Sequence, residues 1–348
     1  MNSIFQYPVF PANCKSLLCK HLSKEIFEQL KDKKSSNGYS LYDVVNSGIV
    51  NIDSGIGVYA GDSESYQLFS LLFDPIIEDY HGFKATDKHL SNLNPNDLNA
   101  PNPDPDNQYI VSTRIRVARN LANYPLGPAI SKNQRNEIEK LVSETLLSLT
   151  AELAGSYYPL KTMTKEIQNQ LIEDHFLFRA GDRFLEASGL NRDWPDGRGI
   201  YHNNEKTFLV WINEEDQMRI ISMQAGGDIK ATFTRLSSAI AEIEKSISFA
   251  YGEHLGYISS CPSNLGTAMR ASVHIKLPNL ANDMTAFKTI TDKYYLQIRG
   301  VHGEHSETVD AVFDISNKRR LGVTEVDCVQ DMYDGVVKLI EIEKSLKT

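Results

Sequence analysis

The stretch from Ser91 to Asn107 divides the chain into two parts with different sequence patterns. It is dominated by asparagine, proline and aspartate, residues that favour turns and extended backbone over packed elements. Helical periodicity precedes it and strand-like alternation follows it. We therefore predict an α-helical N-terminal domain over residues 1–90, a linker over 91–108 and a larger α+β domain over 109–348.

The first part carries apolar residues at helical spacing in three segments, 16–30, 41–50 and 65–80. Between the second and third segments, residues 53–62 are rich in glycine and small side chains. Such a composition predicts a loop or a backbone platform rather than a packed element.

The second part opens with a strand over 109–119, in which Ile110, Ser112, Arg114 and Arg116 would share one face. A hairpin follows at 207–223, with three acids at its tip. Amphipathic helices are predicted at 131–153, 228–250 and 325–346. Because helices come between hairpins rather than in strict strand–helix alternation, we expect a largely antiparallel sheet.

Composition restricts the class of protein. Of 348 residues, 41% are hydrophobic and 23% charged, and the net charge is −9. These fractions are typical of a globular protein, and the acidic balance argues against non-specific nucleic-acid binding. No signal peptide and no membrane-spanning run is apparent. The cysteines lack zinc or Cys-x-x-Cys spacing, which predicts a reducing compartment, the cytoplasm, and no disulfide scaffold. They are Cys14, Cys19, Cys261 and Cys328.

Five arginines lie on strand-like segments or at their ends, and guanidinium groups bind phosphate oxygens bidentately. No Walker A or Gly-x-Gly-x-x-Gly pattern is present, so a nucleotide would be held by arginines, with Mg²⁺ bound mainly by phosphates and water. The alternative is that each arginine pairs with a surface carboxylate. This alternative fits arginines inside apolar strands less well, because burying an unpaired charge is costly. The five are Arg114, Arg116, Arg219, Arg270 and Arg299.

Three loop residues are candidates for chemistry on a cation. Cys261 begins a proline- and glycine-containing run that ends at Arg270. Glu215 and Glu304 are loop carboxylates, which can align a cationic substrate and accept its proton. The alternatives are a buried structural thiol and two solvated turns. The histidines form no recognisable metal set, so no protein-bound metal is predicted.

Three motifs occur together and in order: Asn213-Glu-Glu-Asp216, Cys261-Pro-Ser-Asn-Leu-Gly-Thr267 and Arg299-Gly-Val-His-Gly-Glu-His305. On these residues the chain resembles the phosphagen (ATP:guanidino) kinase family over nearly its whole length, and within it the arginine kinases. The resemblance implies an α-helical N-terminal domain and a C-terminal eight-stranded antiparallel sheet flanked by helices. It implies reversible transfer of the γ-phosphoryl group of MgATP to the guanidino group of L-arginine.

The resemblance also implies roles for individual residues. The five arginines would bind the nucleotide phosphates, His175 and His274 would lie against the adenine, and His305 near the ribose. Glu215 and Glu304 would orient the guanidinium, and Cys261 would contact it as a thiolate, its pKa lowered by nearby cations. The substrate's carboxylate end would be held by backbone N–H groups and a tyrosine hydroxyl in the loop formed by Ser54, Gly55, Ile56, Gly57, Val58 and Tyr59.

Some features depart from the family pattern or remain open. Val301 and His302 stand where arginine kinases often have Thr-Arg, which predicts weaker nucleotide affinity or a pH-dependent rate. Ser263 replaces a threonine, with little effect expected. Asp53 and Arg183 match positions that pair across the domain interface. The alternatives are a taurocyamine kinase, a protein-arginine kinase, and a catalytically silent binding module. A monomer that binds ATP or ADP and a guanidino compound, but no nucleic acid or membrane, is the default expectation.

Overall fold

A computed structural model describes residues 5–300 and 310–346. The helices within these residues are α1 (Leu17–His21), α2 (Lys24–Leu30), α3 (Leu41–Val50), α4 (Ser63–Leu68), α5 (Ser70–His81), α6 (Lys132–Leu147), α7 (Lys165–Glu173), α8 (Arg183–Ala187), α9 (Ile229–Glu244), α10 (Met284–Lys293) and α11 (Glu325–Ser345). The strands are β1 (Ile110–Arg119), β2 (Gly155–Pro159), β3 (Gly199–Asn203), β4 (Phe208–Ile212), β5 (Met218–Ala225), β6 (Tyr251–Gly252), β7 (Gly256–Tyr257), β8 (Met269–Lys276), β9 (Leu296–Arg299) and β10 (Val312–Asn317).

The N-terminal part is helical, as predicted, but two of its expected helices are broken. The predicted helix over 16–30 is α1 and α2, because the Ser23 hydroxyl accepts a hydrogen bond from the Ile26 backbone N–H at 3.1 Å and begins a new helix. The segment 65–80 likewise divides into α4 and α5 at Phe69, whose backbone leaves the helical region. The segment 41–50 forms α3 over the predicted residues, with a capping box between Ser40 and Asp43.

The second part is built on an eight-stranded antiparallel sheet in the order β2-β3-β4-β5-β1-β8-β10-β9. Helices α6, α9 and α11 pack against it, and their apolar side chains join those of one sheet face in a continuous core. The expected α+β class and antiparallel sheet are confirmed. On the opposite face, β3, β4 and β5 carry a second, smaller apolar cluster that includes Leu209, Trp211 and Ile221. The arginines of β1 and β8 lie beside it on the same face.

A β-bulge corrects one expectation about β1. Ile110 was expected to share a face with Ser112, Arg114 and Arg116. The pairing with β8 shifts between Ile110 and Ser112, and an extra residue in one strand reverses which face the following side chains occupy. Ile110 therefore lies in the core, 1% exposed, while the arginines occupy the other face.

Two predicted helices end earlier than expected. The helix over 131–153 stops at Leu147, and a positive φ of 53° at Ala151 starts a separate short turn. The helix over 228–250 stops at Glu244, where the N–H groups of Lys245 and Ser246 donate to carbonyls three residues back rather than four. Further on, the Ala250 N–H donates to the Asn120 carbonyl at 2.7 Å, outside the helix.

The proline-rich segment before the sheet is packed rather than free. Leu98 and Ala100 are buried in the main core, and the Asp104 carboxylate accepts from the N–H groups of Tyr109 and Ile110, each at 2.7 Å. These bonds hold the start of β1. The placement of domain boundaries around this segment stays a prediction.

The structure pairs Cys14 with Cys19 in a disulfide of sequence separation 5. The expectation of no disulfide framework is thus corrected to one short-range pair, formed because the chain bends at Ser16 into α1, which carries Cys19. Within residues 5–300 and 310–346, no helix combines the length and apolar character needed to cross a membrane.

Candidate active site

Basic side chains from neighbouring strands converge on the sheet face opposite the helices. We call this the arginine face. On β1 and β8, Arg116 lies directly opposite Arg270, and Arg114 opposite Ser272. On β10, Asp314 lies between His274 of β8 and Arg299 of β9. Arg219 of β5 lies opposite Ala118, two residues along β1 from Arg116. The period of two in each strand places these side chains on the same surface.

The arginine face has an excess of positive charge. Burial and the charges of Arg270 and Arg219 lower the pKa of Arg114 to about 10, and burial with the same neighbours lowers the pKa of Arg116. Arg114 is stacked on the Trp211 ring at 5.3 Å. Within the described part of the chain, Nε and Nη2 of Arg114 and Nε of Arg270 have no hydrogen-bond partner. Donors of this kind at a buried surface are suited to an anion with many oxygens.

Asp314 is a member of this face that the sequence analysis missed. Its carboxylate accepts from Arg270 at 2.8 Å and lies 3.8 Å from His274. Burial would raise the pKa of Asp314, but the nearby His274 ring and the charge of Arg270 together hold that pKa at about 2. No local sequence pattern marks Asp314, because its place beside the arginines follows from the pairing of β10 with β8 and β9.

An acidic cluster lies at the tip of the β4–β5 hairpin. Arg219 contacts Glu214 at 2.9 Å, Glu215 at 3.0 Å and Asp216 at 3.5 Å. Because one guanidinium serves three buried carboxylates, burial and the neighbouring acids outweigh Arg219 and raise the pKa of Glu215 to about 7. A carboxylate with that pKa can gain or lose a proton near neutrality.

Cys261 lies beside this cluster and is 8% exposed. Its Sγ is 3.0 Å from the Ser263 hydroxyl. Burial and the Glu215 carboxylate raise the pKa of the Cys261 thiol to about 12, while the contact with Ser263 lowers it. The expectation of a lowered pKa is therefore wrong, because Cys261 is buried and faces an acid rather than the arginines.

The run after Cys261 holds Glu215 in place, a contact that the sequence analysis did not foresee. The Asn264 side-chain amide donates through Nδ2 to Glu215 Oε1 at 3.2 Å, and its Oδ1 accepts from Arg320 Nη1. Gly266 has a φ of 86°, and a Cβ there would lie 2.3 Å from the Arg320 carbonyl oxygen. Only glycine fits this approach, so the run is fixed against the segment after β10.

The predicted substrate loop, residues 54–59, reaches the same place from the N-terminal part. Tyr59 packs with Cys261 and Leu190 in a small apolar cluster, and the Ala60 N–H donates to the Ser260 carbonyl at 2.7 Å. Within the described residues, four consecutive backbone N–H groups of the loop make no hydrogen bond, and such groups can bind an anion. They belong to Gly55, Ile56, Gly57 and Val58.

Helix α8 joins this loop to the larger part of the chain. Arg183 donates to Asp53 at 2.8 Å and to Asn51 at 2.9 Å. Behind the loop, Asn46 and Ser47 of α3 donate to backbone carbonyls of α8 at 2.8 and 2.7 Å. The start of the loop is thus tied to the larger part of the chain by both a charge pair and neutral hydrogen bonds.

The remaining predicted site residues are placed as follows. His175 is exposed at the end of α7, next to Phe176, whose carbonyl accepts from Trp211 at 2.8 Å. Arg299 contacts Gln297 at 3.1 Å. Glu304 and His305, and the departures at 301–302, lie outside the described residues. Across the described ranges, no three His, Cys, Asp or Glu side chains are arranged to hold a metal ion.

Comparison with known proteins gives two family matches. The ATP:guanido phosphotransferase N-terminal domain matches residues 12–78, and the ATP:guanido phosphotransferase C-terminal catalytic domain matches residues 137–346. The two matches follow the division between the helical part and the sheet part, and together they include the acidic cluster, Cys261 and the substrate loop.

Curated relatives include arginine kinases. The chain is 58% identical over 336 residues to an arginine kinase of Anthopleura japonica, with 95% of this chain covered but only 47% of the relative, so it spans about half that protein. It is 56% identical to an arginine kinase of Penaeus monodon, with 96% of this chain and 94% of the relative covered.

Solved structures of similar fold include guanidino kinases with other substrates. A lombricine kinase matches with a TM-score of 0.93 and 41% identity, covering 98% of this chain and 95% of that one. A duplicated taurocyamine kinase from Schistosoma mansoni, with bound transition state analog components, matches with a TM-score of 0.89 and 43% identity, covering 94% of this chain and 46% of that one.

Proposed function

Because the chain belongs to the ATP:guanido phosphotransferase family, we propose that it transfers the γ-phosphoryl group of MgATP reversibly to the guanidino group of L-arginine. The observation that carries this proposal is the pairing of two oppositely charged surfaces. The arginine face suits a polyphosphate, and the acidic cluster with Cys261 suits a guanidinium.

The arginine face would bind the nucleotide and the transferring group. Phosphoryl transfer needs alignment and charge neutralisation more than covalent help from the protein. Arg116 and Arg270, opposite each other on adjacent strands, supply fixed donors that need no rearrangement when negative charge develops. Asp314 holds Arg270 and His274 in place.

The acidic cluster would bind the guanidinium and take its proton. A protonated guanidinium, with a pKa above about 12, is a poor nucleophile. Glu215, whose pKa burial raises to about 7, is able to accept a proton at neutral pH. Cys261 would lose its proton to pair with the cation, because an adjacent positive charge favours the thiolate.

Magnesium would enter with the nucleotide rather than bind the protein first. The described residues offer no set of three ligands, and Mg²⁺ is commonly held by phosphate oxygens and water with few protein ligands. The arginine face is consistent with this mode of binding, because guanidinium groups cannot be ligands of a cation and the phosphate oxygens would bind it instead.

Arginine is favoured over taurocyamine by the loop 54–59. The unpaired N–H groups of the loop would hold a substrate's terminal anion. The loop is short and keeps Tyr59 beside Cys261, the pattern that the resemblance to arginine kinases implies for arginine, the larger substrate. A taurocyamine kinase remains the second candidate, since the chain also resembles one in structure. We further propose that the protein acts as a monomer.

A turnover assay tests the proposal directly. MgATP consumption is measured with arginine, taurocyamine, creatine and glycocyamine, each at several concentrations. We expect the highest kcat/KM with arginine. A higher kcat/KM with taurocyamine would reassign the substrate, and no turnover with any of the four would favour a binding module without catalysis.

A further inference from the structure

The cysteine pair that spans the start of α1 is partly exposed and correctly spaced for a disulfide. Cys14 and Cys19 are bonded, with Cα atoms 6.4 Å apart, inside the range of about 4.4 to 6.8 Å usual for disulfides. Both are partly exposed, so a small disulfide or thiol can reach them. The other two cysteines of the chain, Cys261 and Cys328, are buried.

The bridge encloses the cap of α1. Ser16, 1% exposed, lies between the two cysteines. Its hydroxyl accepts from the Cys19 backbone N–H at 3.2 Å and lies 3.1 Å from Cys19 Sγ and 3.6 Å from Cys14 Sγ. The residues that begin the helix are therefore the residues that the bridge constrains.

The first turn of α1 holds the substrate loop. The Leu17 N–H donates to the Gly55 carbonyl at 3.0 Å, and the Leu18 N–H donates to the Ile56 carbonyl at 2.9 Å. A Cβ on Gly57 would lie 2.9 Å from the Leu18 Cβ, so the loop has no free space on this side. A shift of α1 must move the loop.

The helix is too short to maintain this position by itself. An isolated helix of fewer than about twelve residues is marginal in water, and α1 has five residues. A cross-link reduces the conformational freedom of the segment it closes. With the bridge open, the cap of α1 loosens and its two hydrogen bonds to the loop weaken.

We propose that Cys14 and Cys19 form a thiol–disulfide modification site that sets the affinity of the loop 54–59 for the guanidino substrate. The bridged form holds the loop in its binding shape, and the dithiol form binds the substrate more weakly. Where disulfides occur in reducing compartments, they are usually transient and redox-sensing.

The oxidant is a low-molecular-weight disulfide of the glutathione class. The thiolate of one cysteine attacks a glutathione sulfur, giving a mixed disulfide and one glutathione thiol. The second cysteine thiolate attacks the mixed disulfide at the first cysteine's sulfur, giving the bridge and a second glutathione thiol. Two cysteine thiols are oxidised, one glutathione disulfide is reduced, and the two cysteine protons pass to the released thiolates.

The test is a redox titration of the full chain. The protein is equilibrated in glutathione buffers of increasing oxidised fraction, the Cys14–Cys19 bridge is quantified by mass spectrometry after alkylation, and KM is measured for arginine and for MgATP. We expect KM for arginine to be about two- to tenfold higher in the dithiol form, as expected for two weakened hydrogen bonds. The KM for MgATP and kcat stay constant.

Two variants complete the test. Cys19→Ser should show the higher KM for arginine at every buffer composition, whereas Cys328→Ser should keep the redox response. A mixed disulfide formed at Cys261 would be distinguished by mass spectrometry, because Cys261 lies in a different peptide, and it would lower kcat. A bridge that forms without changing KM for arginine, or no bridge at any composition, would overturn the proposal.

This inference rests on the proposed role of the loop in substrate binding, and the two can fail separately. No turnover with any guanidino compound would contradict the proposed function while leaving bridge formation measurable. Turnover with arginine and an unchanged KM would contradict the switch alone.

Discussion

The arginine face and the acidic cluster are both buried, but the first has an excess of positive side chains and the second an excess of negative ones. Around Asp314, the described residues place the Arg270 guanidinium and the His274 ring against one carboxylate, with Arg114 and Arg116 on the same face. Around Arg219, they place three carboxylates against one guanidinium. The pKa of Asp314 is accordingly lowered to about 2, and that of Glu215 is raised to about 7.

The difference shows how one pocket can accept two oppositely charged reactants. Unpaired buried charge costs stability, so each surface is destabilised until a ligand of opposite charge arrives. Functional sites commonly carry such a cost. Removing charge from either surface should therefore lower activity without lowering stability, provided that no buried partner is left alone.

The largest effect is expected for Arg116→Gln, which removes a donor from the centre of the arginine face. The loss of one preorganised charge-stabilising group should lower kcat by about 10²- to 10³-fold. Because the neighbours that lower the pKa of Arg116 are mostly arginines, the melting temperature should not fall. Steady-state kinetics and thermal denaturation measure both quantities.

Arg235→Gln is the matched control for this variant. Arg235 lies on α9 and contacts Glu152 at 3.3 Å and Gln224 at 2.9 Å, away from the arginine face. Its kcat should match that of the unchanged protein. Equal losses of kcat in both variants would mean that the net charge of the protein, rather than the position of the arginine on the arginine face, determines the rate.

Glu215→Gln should act on the other surface. We expect kcat/KM for arginine to fall by about 10²-fold, the lower range for general acid–base groups. A carboxyl whose folded pKa is raised contributes stability below pH 4.5 that is lost as pH rises through 7. The variant does not titrate, so above pH 7 it should exceed the unchanged protein in free energy of unfolding by up to about 3 kcal/mol.

Denaturant unfolding at pH 5 and pH 8 measures the pH-dependent contribution of the Glu215 carboxyl to the free energy of unfolding. The stability difference between Glu215→Gln and the unchanged protein should be small at pH 5 and large at pH 8. Glu214→Gln, which removes an adjacent carboxylate, should reduce activity less. A variant that is less stable at pH 8 than at pH 5, relative to the unchanged protein, would contradict the raised pKa.

Asp314→Asn should show the opposite pH dependence. A carboxyl whose folded pKa is lowered from 3.8 to about 2 contributes stability above pH 4 that is lost as pH falls through 2. The contribution is about 2 kcal/mol. Acid titration of unfolding free energy should therefore be less steep between pH 4 and 2 in the variant, and identical slopes would refute the assignment.

The smallest effect is expected for Asp53→Gly at the contact with α8. Both side chains of the Asp53–Arg183 pair are more than half exposed, and such pairs contribute little. The neutral hydrogen bonds from Asn46 and Ser47 remain. We expect KM for arginine to rise less than about fivefold, with a small drop in melting temperature. Unchanged values for both would show that the pair does not act in domain closure.

The arginine face could be largely predicted from the sequence, because strand alternation assigns side chains to faces. Arg114 and Arg116 were expected on one face and lie there. Ile110 was misassigned because a bulge depends on the partner strand rather than on local pattern. Asp314 was missed because a single aspartate in a strand gives no indication of which strands lie beside it.

The acidic cluster and its surroundings could be predicted less well. The residues Glu215 and Cys261 were identified, but the pKa of the thiol was predicted with the wrong sign. That sign depends on the contact between two segments 46 residues apart in sequence, and only tertiary packing decides it. The contacts of Asn264 and Arg320, and the bond between Cys14 and Cys19, depend on packing in the same way.

Proton release on substrate binding tests the opposition of the two surfaces most directly. Arginine binding in the presence of MgADP is measured by calorimetry at pH 7 in buffers of different ionisation enthalpy. Because the Glu215 pKa is about 7, binding of the cation should release at least about half a proton, and Glu215→Gln should release less by that amount. The absence of proton release, or equal release by both proteins, would contradict the account.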